Sequence, residues 1–369
     1  MKTTALGLLC LAVLCAILAL GLWPFHSPEN TVTWLSNRNG LRFGKYGTVF
    51  SSRSLSATHP QDSLEASVEI WLQPHRIWNS GTFLAFYCSS NLFQFSLRQS
   101  QAKLLVRTET GNDHSGAKTA EFYVDDVFRK GQPVFITVTS GRQEVCVYTD
   151  GVLVARRRSF PLSAREFTGG LVLADSLGQP DNWSGQLLGL AIYHVQLTAE
   201  QVLQNYAIWR QNSLSNLVED EHPVALYLFD EHLGRVVRDK AKSGVELLIP
   251  ERYQVLHKIA LKPVWNEFQM SRSYWSAALK NIVGFIPFGF CFYAYLATVL
   301  PVKRLTLVTV ALGAAVSFTI EILQAFLPTR DSGTTDLITN ALGTWIGVVS
   351  YRLLAPKLVR FFPLPVTYK

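Results

Sequence analysis

The sequence predicts two structural classes in one chain: an all-β sandwich in the middle and an all-α bundle of transmembrane helices drawn from its two ends. Three observations predict this. Apolar runs long enough to cross a membrane concentrate in the first two dozen residues and after about residue 281. Between them, short runs alternate apolar and polar residues and are punctuated by turn signals. Mean hydropathy is +0.16 with only 17% charged residues, which is apolar for a soluble protein, and 369 residues are enough for two domains.

Residues 1–25 read as an N-terminal transmembrane anchor. Residues 4–23 carry no charge and follow Lys2. Such a run matches the roughly 20 residues that cross ~30 Å of hydrocarbon. A cleaved signal peptide is the rival reading, but the apolar core is long for one and no clear A-x-A site follows.

Residues 38–250 read as the sandwich. Residues 63–74 place Ala66, Val68, Ile70 and Leu72 on one side of a strand. Residues 135–155 contain two further strands and a hairpin at Asp150-Gly151, a strong turn signal between alternating apolar residues. Residues 197–206 read as one short helix, with Thr198 as cap and Gln201 three residues on. Cys88 and Cys146 each sit in a strand-like run, so a disulfide between them is open on sequence alone. Cys10, Cys15 and Cys291 lie in apolar runs and behave as small hydrophobes. Arg156, Arg157 and Arg158 are either a solvated strand end or a contact for an anionic glycan or lipid headgroup. Asn182-Trp183-Ser184 matches a glycosylation sequon, and Trp78 or Trp183 could stack on sugars or pack in the core.

Residues 251–280 form a juxtamembrane linker in which Trp265, Phe268, Tyr274 and Trp275 alternate with Lys262, Arg272 and Lys280, a composition suited to the membrane–water interface. Residues 281–356 contain three spans, at 282–300, 305–327 and 337–354, and residues 357–369 form a tail. The net charge is +7, and much of the excess lies beside these spans, at Lys303, Arg304, Arg352, Lys357, Arg360 and Lys369. That distribution marks cytoplasmic flanks and excludes a nucleic-acid partner, because no basic stripe interleaved with aromatics occurs in the sandwich. The positive-inside rule then places both termini in the cytoplasm and the sandwich outside.

Polar residues crowd the boundary between the last two spans. Glu321 and Gln324 share a helix face at i and i+3. Arg330 and Asp331 follow in the link. Asp336, Asn340, Gly343 and Gly347 fall on one face of the next helix, and Gly343-x-x-x-Gly347 permits close helix approach. Asn281 opens the preceding span, where Pro287 and Gly289 are expected to loosen the helix. These polar groups converge at the outer end of the bundle. An intramembrane carboxylate is either a functional group or part of a network that locks helices together. One functional version binds an anionic lipid with Arg330 on its headgroup. Another makes Glu321 a general base and Arg330 a charge stabiliser, although no His, Ser-His pair or metal cluster accompanies them.

The pattern Glu321-x-x-Gln324, Arg330, Asp336-x-x-x-Asn340-x-x-Gly343-x-x-x-Gly347, preceded by NIVGFIPFGF, resembles the VanZ-like membrane proteins. The resemblance implies a bacterial cytoplasmic membrane and a link to resistance against the glycopeptide teicoplanin. It makes Asn281, Glu321, Gln324, Arg330, Asp336 and Asn340 the motif positions. The resemblance places an acid one turn before the asparagine in many members, where this chain has Ala277. The phrases VEIWLQP, VYTDGVLVA and WSGQLLGLAIYHVQLTAEQVLQNY resemble the concanavalin A-like, laminin G-type jelly roll. ALYLFDEHLGRVVRD usually opens such a domain; here it follows, so the order is permuted or the segment packs back as a late strand. This resemblance implies a carbohydrate- or protein-binding module, and calcium in some members. Asp230 and Glu231 are the acids available for calcium, but a solvated turn explains them better, and no cofactor is expected otherwise. The expected partners are membrane lipids and a glycan or cell-wall component.

Overall fold

The computed structural model describes residues 2–56, 65–110, 118–178, 180–211, 223–241, 243–268 and 270–361. The chain divides into two compact units, Pro28–His257 and Met1–Ser27 with Lys258–Lys369.

The first unit is a sandwich of two antiparallel sheets. One sheet runs in the spatial order β1 (Val32–Trp34), β2 (Leu41–Phe43), β13 (Gly185–Tyr193), β4 (Ala66–Pro74), β9 (Val134–Ser140), β10 (Glu144–Thr149), β11 (Val152–Arg158), with β14 (Ala225–Tyr227) also paired to β13. The other runs β15 (Val236–Val237), β16 (Leu247–Leu248), β3 (Val49–Ser51), β12 (Gly170–Leu173), β5 (Ser80–Cys88), β6 (Asn91–Ser100), β7 (Lys103–Thr110), β8 (Lys118–Val124). The period-2 pattern decides which side chains meet. Val68, Ile70 and Leu72 of β4 and Leu190 and Ile192 of β13 enter the core between the sheets, with Phe83, Phe86, Phe95 and Trp183 opposite. Their neighbours Ala191 and Tyr193 face the other way and are covered by helix α2 (Ala199–Gln211) through Val202 and Trp209.

The hairpin and the cap form as expected. Asp150 (φ 51°) and Gly151 (φ 80°) both take the positive φ of a type I′ turn, and Thr149 pairs with Val152 across it. Gln201 N–H donates to Thr198 Oγ1 at 3.3 Å, and Thr198 N–H donates to Gln201 Oε1 at 2.9 Å, a reciprocal capping box for α2. The late segment packs back. Leu226 pairs with Ala191, and Val236–Val237 join the second sheet through Leu247–Leu248, which pairs with Phe50 and Ser51. The disulfide does not form. Cys88 lies on β5 of one sheet and Cys146 on β10 of the other, and both are free thiols. Trp183 is fully buried and donates Nε1–H to Gln99 Oε1 at 2.7 Å, so it packs in the core and cannot stack on a sugar. Trp78 remains exposed.

The second unit is helical: α1 (Lys2–Leu22), α3 (Val264–Glu267), α4 (Arg272–Val299), α5 (Leu305–Ala325) and α6 (Thr334–Phe361). Among the described residues three helices are long and apolar enough to cross a membrane, over Thr3–Leu22, Tyr274–Val299 and Leu305–Ala325. The fourth expected span, 337–354, lies within α6, which is not among the three. Asp336, Asn340, Thr344 and Arg352 make α6 the most polar of the long helices in sequence. α1 packs through Val13, Leu14, Ile17 and Leu18 on Phe285 and Phe288 of α4 and Ile320 of α5. Helix α4 continues through Pro287 without a break, contrary to the expected loosening. Gly289 instead admits the backbone of Thr344, because a Cβ there would overlap it.

Candidate functional site

In the helical unit, the link from α5 to α6 gathers the polar residues. Glu321, 1% exposed on the last turns of α5, accepts from Gly333 N–H at 2.8 Å and from the Ser332 side chain. Asn281 of α4 hydrogen-bonds the Asp336 carboxyl of α6. Asn340 Nδ2 donates to Ser317 Oγ of α5 at 2.9 Å. These bonds join α4, α5 and α6 at one level, so Asn281, Glu321, Asp336 and Asn340 are brought together.

Gln324 and Arg330 turn their donors to the end of α1. Gln324 Nε2 donates to Gly21 O at 2.8 Å. Arg330 donates through Nε to Trp23 O at 2.8 Å and through Nη2 to Leu20 O at 3.2 Å and to Trp23 O. The last carbonyls of α1 have no intrahelical partner, and a cation there also meets the negative end of the helix dipole. The expectation of Arg330 as a free headgroup ligand is therefore corrected: its guanidinium holds the end of α1.

Two charged residues that the sequence reading passed over complete the picture. Glu267, at the end of α3, accepts from Thr335 N–H at 2.9 Å and so caps the first turn of α6. It also lies close enough to act electrostatically on both Glu321 and Asp336. Glu267 lies ten residues before Ala277, the position at which the family resemblance places an acid. Lys258 Nζ donates to Gln324 O at 2.6 Å and to Leu327 O, capping α5. Burial lowers its pKa to about 8, against the opposing pull of Asp331. Lys262 anchors the same strap: its N–H donates to Ser332 O at 3.1 Å and its carbonyl accepts from Thr334 N–H at 2.9 Å. A charge inside an aromatic, apolar stretch such as VWNEF was the available signal for Glu267.

Not every atom of the cluster is satisfied. Among the described residues, Gln324 Oε1, Thr335 Oγ1 and Asn340 Oδ1 are buried without a hydrogen-bond partner. Two are pure acceptors, and with three carboxylates nearby the cluster favours groups that donate hydrogen bonds. No group of three or more His, Cys, Asp or Glu suited to a metal ion occurs among the described residues. In the sandwich, Asp230 pairs with Lys240 at 2.8 Å and Glu231 accepts from Arg238 N–H at 2.8 Å.

The sandwich carries a cavity of about 280 Å³ beside the end of α2, lined by Asn37, Arg38, Asn39, Trp71, Leu188, Trp209, Arg210 and Leu228. Arg38 is held across β4 and β13 by Gln73 Oε1 (2.6 Å) and Gln186 Oε1 (2.7 Å). Asn39 Oδ1 meets His232 Nε2 at 3.1 Å. Trp209 is fixed from behind: its Nε1–H donates to the buried Glu69 carboxylate at 3.3 Å, which also accepts from Tyr193 OH (3.0 Å) and Asn205 Nδ2 (3.1 Å). A second buried acid, Asp175, accepts from Tyr253 OH at 2.7 Å and from the N–H groups of Ser176 and Asp181, each at 2.8 Å. It also accepts from the sequon residue Asn182 at 3.2 Å. Burial pushes the Asp175 carboxyl up to about 7.

Residues 47–203 match the family model described as concanavalin A-like lectin/glucanases superfamily, and residues 206–355 match VanZ/LLP1. A search of curated proteins finds no match. Among solved structures the chain is similar to the receptor binding domain of botulinum neurotoxin C/D mosaic serotype, at 13% identity and TM-score 0.36, covering 48% of this chain and 45% of that one. It is also similar to a heptameric SAP-like pentraxin from Limulus polyphemus, at 17% identity and TM-score 0.36, covering 62% of this chain and 96% of that one. The chain thus spans less than half the length of the neurotoxin domain it matches.

Proposed function

Because the chain joins a concanavalin A-like sandwich to a VanZ-like helical membrane region, we propose that it is a glycan-binding protein of the bacterial envelope, anchored in the cytoplasmic membrane. Lys303, Arg304 and the basic tail lie on the cytoplasmic side with both termini, and the sandwich lies outside. The cavity at Trp71, Asn37, Arg38, Asn39 and Arg210, floored by the buried Trp209, carries this reading. Aromatic faces pack against the C–H faces of a sugar ring, and amides and guanidinium groups bind its hydroxyls bidentately. The test uses the full-length protein in detergent on immobilised glycans and peptidoglycan fragments. Retention is expected, and Trp71→Ala should lower it about tenfold, the ~1.4 kcal/mol expected for one aromatic contact. No retention of the wild-type protein sinks the proposal; equal retention of Trp71→Ala removes the cavity as its site.

The polar cluster of Asn281, Glu321, Gln324, Asp336 and Asn340 receives the donor-rich part of a lipid-linked cell-wall precursor, its hydroxyl and amide groups. The unpartnered acceptors Gln324 Oε1 and Asn340 Oδ1 support this. A purely structural role explains the bonds of Glu267, Lys258, Gln324 Nε2 and Arg330, but not those atoms. Lipid-linked sugars should copurify with the wild-type protein and be lost in Asn340→Leu. The rival enzyme reading, with Glu321 as base, predicts turnover of such lipids in proteoliposomes that Glu321→Gln abolishes. A role in glycopeptide resistance is checked by teicoplanin susceptibility of a bacterial host with and without the gene.

A further inference from the structure

The far end of the helical unit holds a second feature of opposite sign. A cavity of about 880 Å³ opens where the link between α4 and α5 meets α6. Lys303, Arg304 and Arg352 line it, and no Asp or Glu does. Each of the three is exposed. Their side chains have no ion pair or hydrogen bond among the described residues. Three cations line one concavity without a counter-ion among the described residues, and an anion is the ligand whose charge complements it. The other walls are apolar or aromatic: Tyr293 from α4, Leu307 from α5 and Trp345 from α6. Leu307 is 62% exposed and Trp345 48%. A soluble anion gains nothing from such walls. A lipid does, because its acyl chains lie along them while its phosphate meets the guanidinium forks.

We propose that this cleft is a binding site for an anionic phospholipid headgroup, with Lys303, Arg304 and Arg352 on the phosphate and Trp345 and Tyr293 at the interface. It is independent of the acidic cluster. Arg304 precedes α5 and Glu321 lies near its other end, roughly 25 Å away at 1.5 Å per residue. The two ends of the bundle therefore sort ligands by charge: donor-rich groups at one, phosphate at the other.

The experiment measures lipid retention by the full-length protein, purified from nanodiscs of mixed phosphatidylglycerol and phosphatidylcholine. The wild-type protein should enrich phosphatidylglycerol several-fold over the supplied ratio. The Lys303→Gln/Arg304→Gln/Arg352→Gln variant should return to that ratio, while Lys280→Gln, at the other end of α4, keeps the enrichment. The charge-conserving variant Lys303→Arg/Arg304→Lys/Arg352→Lys should also keep it, which separates lost charge from lost folding. No enrichment by the wild-type protein, or undiminished enrichment by the triple Gln variant, overturns the site. Displacement of the lipid by millimolar inorganic phosphate overturns the assignment to a phospholipid.

Discussion

The tightest packing in the helical unit is between α4 and α6, and it makes a quantitative prediction. A Cβ on Gly343 would overlap Ile282 O and stand 2.9 Å from the carbonyl carbon behind it; one on Gly347 would overlap Ile286 O and stand 2.8 Å from Phe290 N. Carbon–carbon contact needs about 3.5 Å, so the helices must part by at least ~0.6 Å, and further at the oxygens. Backbone cannot rotate away as a side chain can, so the whole interface opens. Overpacking of this kind costs about 1–3 kcal/mol. It would also stretch the Asn281–Asp336 hydrogen bond, which spans the same two helices. Gly284 is the matched control: it lies on α4, and a Cβ there meets nothing within 4 Å. Gly284→Ala should be neutral or stabilising by up to ~1 kcal/mol through helix propensity. Reversible unfolding of detergent-solubilised protein by titrated SDS, followed by far-ultraviolet circular dichroism, gives both numbers. If Gly343→Ala and Gly347→Ala match Gly284→Ala in stability, the close approach is not what these glycines serve.

Four further outcomes follow from the bonds described. Arg330→Ala should cost about 1–2 kcal/mol in the same unfolding assay, the range for a charge-assisted bond to backbone with partial exposure, because the last carbonyls of α1 lose their donor. Gln324→Ala should add to that loss less than its single value, since both residues hold the same helix end. Asp175 makes stability depend on pH: its folded pKa of about 7 exceeds the ordinary carboxyl value of 3.8, so the folded state binds the proton more tightly and stability falls as pH rises from about 4 to 7. The loss is at most ~4 kcal/mol, and urea unfolding by tryptophan fluorescence should show that slope flattened in Asp175→Asn. Glu69→Leu should destabilise by about 3 kcal/mol or more, because it strands the buried donors of Tyr193, Asn205 and Trp209, whereas Glu69→Gln should lose less.

What the sequence made legible was local. The alternation of Val68, Ile70 and Leu72 names the core face because strand side chains repeat every two residues. Asp150-Gly151 and the Thr198–Gln201 box are short-range chemistry, readable from neighbours alone. Gly343-x-x-x-Gly347 announced a close helix contact without saying that α4 was the partner. What was not legible depends on long-range placement. Nothing near Arg330 in sequence points to Trp23, more than three hundred residues away. Nothing near Cys88 says that it lies on the opposite sheet from Cys146. Glu267 escaped because attention fell on α4 itself, whereas it lies on the short helix α3 before it and reaches Thr335 across sixty-eight residues.

These placements change how the polar cluster should be weighed. Each helix end at this level is met by a charge of suitable sign: Arg330 at the end of α1, Lys258 at the end of α5, Glu267 at the start of α6. Helix ends need donors or acceptors where water is scarce, so much of the charge in this stretch is explained without a ligand. Glu321 itself is spent in part on Gly333 and Ser332. The residue that resists this account is Asn340. Its nitrogen holds Ser317, but its oxygen, on a side chain 5% exposed, faces no donor. Leaving such an acceptor unpaired costs about 1–3 kcal/mol. A helix-locking role would be served as well by a Ser or Thr that satisfies itself against the preceding carbonyl, as Thr344 does at 2.9 Å one turn later. The unpaired oxygen makes Asn340, more than Glu321 or Arg330, the position where a structural and a ligand-binding role diverge.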